Sequence, residues 1–262
     1  MNTTIVKTSR SRTIHRWVRR GFLLWAVISL SWLANSVRTQ GVADELLRSS
    51  DGVRLQDGAA ALAFLPKTPY AKAAMIFICC SGIHAHAYAP LLRPIADAGY
   101  SVFIVKLPYR FAPFSSHKDQ AVDRARSLIA AHPETARWVI AGHSLGGALA
   151  ARVAEAEPGL NAAFVLIGTT HPKDRDLSRL DAPVIKVYAT NDGIAPADRV
   201  MASKGLLPPQ TEWVRITGGN HSQFGHYGHQ LFDGRATISR DVQQAITRET
   251  LLEALRNGGN DA

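Results

Sequence analysis

Residues 138–147 read Trp138-Val139-Ile140-Ala141-Gly142-His143-Ser144-Leu145-Gly146-Gly147, and an alanine-rich stretch follows to about Ala156. The apolar run predicts a buried strand, and the small residues after it predict a helix packed close to its neighbours. A chain that passes from strand to helix over one residue strains that residue. It also brings the positions two before and two after it too close for side chains, which is why glycine stands at 142 and 146. The hydroxyl of Ser144 then projects above the sheet. The next N–H, on Leu145, is aimed to help stabilise an oxyanion. A Gly-x-Ser-x-Gly pattern alone occurs by chance in glycine-rich turns; the strand before it and the helix after it set this one apart.

A serine hydroxyl is a weak nucleophile and requires a base, which in turn requires a carboxylate to orient it. The run Pro183–Ala189 predicts a second buried strand and ends in Thr190-Asn191-Asp192-Gly193. A third candidate strand, Thr211–Thr217, ends in Gly218-Gly219-Asn220-His221. Chain order and loop placement therefore point to Ser144, Asp192 and His221 as nucleophile, acid and base. Asp181 and Asp198 are rival acids, one before its strand and one inside the following helix. His226 and His229 share the loop of His221, but only His221 directly follows the strand.

From about Asp44 onward the chain resembles the α/β-hydrolase superfamily of serine hydrolases. The resemblance includes the loop Gly218-Gly219-Asn220-His221-Ser222-Gln223-Phe224-Gly225-His226-Tyr227-Gly228. It extends to Asp233–Arg240 and to Ala87-Tyr88-Ala89-Pro90. Within the superfamily the chain looks like a small, largely unassigned, membrane-anchored bacterial branch. The resemblance implies hydrolase chemistry through the three residues above, with no cofactor, and it carries no substrate. The loop after the first core strand is usually richer in glycine, whereas here it reads Cys79-Cys80-Ser81-Gly82-Ile83-His84. The second oxyanion donor is expected at the Ile83 N–H.

Charge and composition narrow the function classes. The net charge of +9 is concentrated at the N-terminus, where residues 1–40 hold seven Lys and Arg and no acid. The remainder holds 23 basic and 21 acidic residues, with no basic stripe interleaved with aromatics, so nucleic-acid binding is excluded as a leading reading. The basic leader, 1–20, precedes a charge-free apolar stretch, 21–37, of membrane-helix character at the short end of the range. This segment predicts an anchor with the body outside the cytoplasmic membrane, on the periplasmic side in a Gram-negative bacterium. Two alternatives stand beside it: a cleaved export signal, suggested by Arg19-Arg20-Gly21-Phe22-Leu23 and a cut near Gly41-Val42-Ala43, and a buried helix of the soluble domain. Cys79 and Cys80 are adjacent on a predicted strand, point to opposite faces and read as two buried thiols. His84-x-His86 with His226 or His229 is a weak metal candidate, and no metal ligand set is assigned.

Residues 38–52 form a polar connector, and the catalytic domain is expected to span 53–262. A hairpin-like start at Gly52–Leu55 and Ala61–Leu65 leads into alternating strands and helices. Strands are predicted at Ala74–Cys80, Ser101–Leu107, Arg137–Ala141, Ala162–Ile167, Pro183–Ala189 and Thr211–Thr217. Helices are predicted at Tyr88–Ala98, Lys118–Ala131, Gly146–Ala156, Ala197–Gly205 and Arg240–Arg256. Apolar strands each followed by a helix indicate an α/β fold, a mostly parallel sheet covered on both faces. The connection from Ile167 to Pro183 is too short for a cap domain. The expected function is hydrolysis of a small-molecule carboxylic ester or related acyl compound through an acyl-enzyme. The rivals are an acyltransferase on the same residues, a non-catalytic binder that keeps the fold, and a metal-dependent hydrolase.

Overall fold

The computed structural model describes residues 9–68 and 73–257. In chain order the elements are α1 (Ser9–Ser36), β1 (Val53–Asp57), β2 (Ala61–Pro66), β3 (Ala73–Ile78), α2 (Ala89–Asp97) and β4 (Ser101–Val105). They continue with α3 (Ser115–Ala131), β5 (Arg137–His143), α4 (Leu145–Ala156) and β6 (Ala162–Ile167). The last four are β7 (Val184–Ala189), α5 (Ala197–Met201), β8 (Glu212–Ile216) and α6 (Arg240–Arg256).

Eight strands form one sheet in the order β1-β2-β4-β3-β5-β6-β7-β8. The first two pair antiparallel, β2 pairs antiparallel with β4, and every pairing from β4 to β8 is parallel. Apolar continuity explains the centre: all residues of β3 and β6, and all of β5 except Arg137, are buried on both faces. The edge strand β8 alternates more and is partly exposed. Because β3 to β8 run parallel, their C-terminal ends meet along one rim of the sheet, where loops from separate parts of the chain come together. The connection 168–183 carries no helix or strand, in keeping with the absence of a cap domain read from its length.

The N-terminal segment does not show the membrane-crossing helix expected of it. Residues 21–36 are the C-terminal part of the 28-residue helix α1, and no helix among the described residues is long and apolar enough to cross a membrane. The reason lies in its composition. Arg10, Arg12, Arg16, Arg19 and Arg20 occupy its first half, and Ser29, Ser31, Asn35 and Ser36 dilute the second. The charge-free part reaches only about 24 Å at 1.5 Å per residue, short of an apolar core about 30 Å thick. The end of α1 instead docks on the loop after β8. Ser36 is buried, Gln40 N–H donates to His226 O at 2.9 Å, and Thr39 bridges to Tyr227.

Candidate active site

The strand β5 ends on His143, α4 begins on Leu145, and Ser144 lies between them at φ 56°, ψ −115°. Such a conformation is strained for a residue with a side chain and persists because the surroundings enforce it. The Ser144 N–H donates to Ile167 O at 2.9 Å on β6, and its carbonyl accepts from Gly147 and Ala148 in the first turn of α4. The flanking glycines are sterically required: a Cβ on Gly142 would stand 2.2 Å from the Gly146 carbonyl, and one on Gly146 would stand 1.9 Å from Ile78 O. Among the described residues the Leu145 N–H finds no protein acceptor. It is one of the orphan donors at the positive end of a helix, suited to a developing negative charge.

Two neighbouring strands bring the next members. Asp192, in the loop after β7, is buried; its Oδ1 accepts from the Ile194 and Ala195 N–H groups at 2.8 and 2.6 Å. Its Oδ2 lies 2.8 Å from Nδ1 of His221, which is fully buried in the loop after β8. Asp181 and Asp198 are exposed and make no contact with this pair. His226 Nδ1 is engaged with Gly41 O and His229 Nε2 with Asp233 O, so neither competes for Asp192. His84 and His86 pack edge to face, and His86 Nε2 pairs with Asp57 at 2.9 Å on the far side of the rim.

The Asp–His half of the constellation is thus assembled, while the serine half is open. His221 Nε2 has no hydrogen-bond partner, so the Ser144 hydroxyl is not bonded to it in this structure. Such contacts commonly tighten only with substrate in place. Burial alone would push the His221 imidazole toward the neutral form. The hydrogen bond and charge of Asp192, joined by the neighbouring Cys80 sulfur, outweigh it and raise the pKa above the ordinary 6.5. His143 lies behind the elbow with its ring 4.5 Å from that of His221, and burial holds its pKa well below the usual range.

Ile83, expected to supply the second oxyanion donor, lies in a turn at the end of the loop after β3. The Ile83 N–H donates to Cys80 O at 3.2 Å and closes a turn. Two residues earlier the Ser81 N–H has no acceptor among the described residues, while the Ser81 Oγ and Gly82 N–H tie this loop to Phe111 O and Arg110 O. The turn geometry that decides which N–H is free has no signature in the residue types alone.

Two supporting residues escaped the sequence reading. Asp233 accepts from the His221 N–H at 3.1 Å, the Ser222 N–H at 2.8 Å, the Ser222 hydroxyl at 2.7 Å and the Gly193 N–H at 3.2 Å. One carboxylate therefore pins the loop of the base to the loop of the acid. From α6, Gln243 accepts from Asn220 N–H and donates to Asn220 O at 2.9 and 2.7 Å, fixing the backbone just before His221. A signal did exist for Gln243: Gln243, Thr247 and Thr250 fall on one helical face and are buried there. Asp233→Ala should lower kcat about 100-fold with little change in KM, because a misplacement of about 1 Å can cost that much. A folded variant within about twofold of wild-type kcat would show that the carboxylate does not position the base.

A strained serine between strand and helix, and a buried Asp–His pair in loops at the same rim of an eight-stranded, mostly parallel sheet, fit the α/β-hydrolase class. The alpha/beta hydrolase family model matches residues 74–245, and the chain belongs to that family. Solved structures with this fold include a predicted CIB-like hydrolase from Thermoplasma acidophilum, with TM-score 0.60 and 13% identity, covering 76% of this chain and 99% of that one. A monoacylglycerol lipase from Paleococcus ferrophilus has TM-score 0.58 and 16% identity over 77% and 99% of the two chains. A thermophilic esterase from Thermogutta terrifontis has TM-score 0.58 and 12% identity over 79% and 99%. At these identities the likeness carries the fold. No curated protein matches the chain.

Proposed function

We propose that the protein is a serine hydrolase of carboxylic esters or related acyl compounds. The observation that carries this reading is the buried Asp192–His221 pair at 2.8 Å, set beside a serine held at φ 56° where strand meets helix. His221 Nε2 takes the Ser144 proton as the hydroxyl attacks the acyl carbonyl. Asp192 holds the imidazole by its Nδ1–H and stabilises the imidazolium that forms. The Leu145 N–H, together with the Ser81 N–H in place of Ile83, receives the oxyanion. Water deprotonated by His221 then releases the acyl group and restores Ser144. The esterase and the lipase among the structural neighbours support an ester substrate. A fluorophosphonate probe tests the reading: it should label the wild-type protein and leave Ser144→Ala unlabelled. Absence of labelling in folded wild type would favour the non-catalytic binder.

The raised pKa of His221 sets a pH dependence. A general base acts in its neutral form, so a pKa above the ordinary value moves the ascending limb of the rate profile to higher pH. In kcat/KM for a p-nitrophenyl ester the rate should still climb between about pH 7 and 9. A plateau already reached by about pH 7 would mean that Asp192 does not hold the proton on His221 as described.

A further inference from the structure

Behind the elbow, Cys80, His143 and His221 bring one sulfur and one ring nitrogen each to within 4.8 Å of one another, and all three are buried. The ring nitrogens are sorted by their partners. His143 Nδ1 lies 3.0 Å from the Tyr88 hydroxyl, and His221 Nδ1 lies 2.8 Å from Asp192. Both Nε2 atoms have no hydrogen-bond partner, although each ring is fully buried. Ring packing accounts for the 4.5 Å approach of the two imidazoles but not for the orphaned Nε2 of His143, which the proposed catalysis does not use. A buried ring nitrogen left unpaired costs stability that a bound partner would restore.

An unpaired nitrogen on each of two imidazoles beside a thiol is a donor set for a borderline cation. Neutral imidazole and thiolate suit Zn²⁺, whereas Mg²⁺ and Ca²⁺ require oxygen ligands that this cluster lacks. Outer partners complete the pattern. A ligating histidine characteristically donates its other ring N–H to a carboxylate or another oxygen, as His221 does to Asp192 and His143 can to Tyr88. Zinc bonds of about 2.0–2.3 Å at tetrahedral angles place ligand atoms about 3.5 Å apart, so closure needs about 1 Å of side-chain movement.

We propose that Cys80, His143 and His221 form an inhibitory site for Zn²⁺. Binding forms one bond to sulfur and one to each Nε2, and the Cys80 thiol proton passes to solvent. The lone pair of His221 Nε2 that would accept the Ser144 proton then belongs to the metal, so metal binding and hydrolysis exclude each other. This consequence rests on the serine-hydrolase reading; the binding does not.

The test separates the two. The full chain, freed of metal, is titrated with Co²⁺ and, in competition with a chromophoric indicator, with Zn²⁺. One equivalent should bind, and the Co²⁺ form should show a thiolate charge-transfer band. That band should persist in Cys79→Ser and vanish in Cys80→Ser. Zinc affinity should fall at least about 100-fold in both Cys80→Ser and His143→Gln, each with its fold checked by circular dichroism. Zinc should inhibit ester hydrolysis by the wild type, reversibly on chelation, and Cys80→Ser should resist it. Lack of a thiolate band in wild type, or equal zinc affinity in wild type and His143→Gln, overturns the site. Binding with the band in a protein that hydrolyses no ester when metal-free keeps the site and removes the proposed function.

Discussion

Ester hydrolysis in Ser144→Ala and in His221→Ala is expected to fall on the order of 10³-fold or more, with the fold retained in both. The two losses should be of similar size, because a nucleophile without its base and a base without its nucleophile disable the same step. Asp192→Asn should cost about as much or somewhat less. It keeps the shape but reverses the hydrogen bond that sets the His221 tautomer at 2.8 Å. Steady-state kinetics on a soluble p-nitrophenyl ester, with thermal melts to confirm folding, decide the matter. Near-normal activity in His221→Ala together with its loss in His226→Ala would move the base to another residue. That outcome would conflict with the engagement of His226 Nδ1 by Gly41 O.

The largest effect on stability is expected from Gly146→Ala. An added methyl would lie 1.9 Å from Ile78 O and 2.6 Å from Ile78 C. Both are backbone atoms of a fully buried strand, so no side-chain rotation relieves the clash. Either β3 or α4 must move, and β3 is held by β4 on one side and β5 on the other. A loss of at least about 3 kcal/mol is expected, at or above the usual range for overpacking, from a total stability on the order of 5–15 kcal/mol. Gly159→Ala is the matched control, since nothing lies within 4 Å of its added methyl. Urea unfolding of the two variants tests this. A Gly146→Ala midpoint indistinguishable from that of Gly159→Ala would refute the steric account.

Much of the fold was legible because its signals are local. Nearly continuous apolar runs such as Ala162–Ile167 have few ways to be satisfied other than as buried parallel strands, and the structure places a strand there. The apolar stretch 21–37 belongs to a longer helix, a context that apolar character alone does not show. The helix begins twelve residues earlier at Ser9, and the arginines and the serines and asparagine share its two halves.

The sequence by itself determined the strand-turn-helix around Ser144. Glycines at 142 and 146 are the only residues that fit backbone within 2.2 and 1.9 Å of an added Cβ. It also determined the order in which Asp192 and His221 follow Ser144, since both stand at the ends of readable strands. Tertiary structure alone decided that Asp233 ties the loops of the acid and the base together, and that Ile83 N–H is engaged by Cys80 O. It alone brought Cys80, from the loop after β3, and His143, from the end of β5, to His221. The physical reason is common to these cases. A hydrogen-bond partner or a shared ligand space between residues tens of positions apart depends on how loops fold over the sheet rim, and periodicity along the chain carries no record of it.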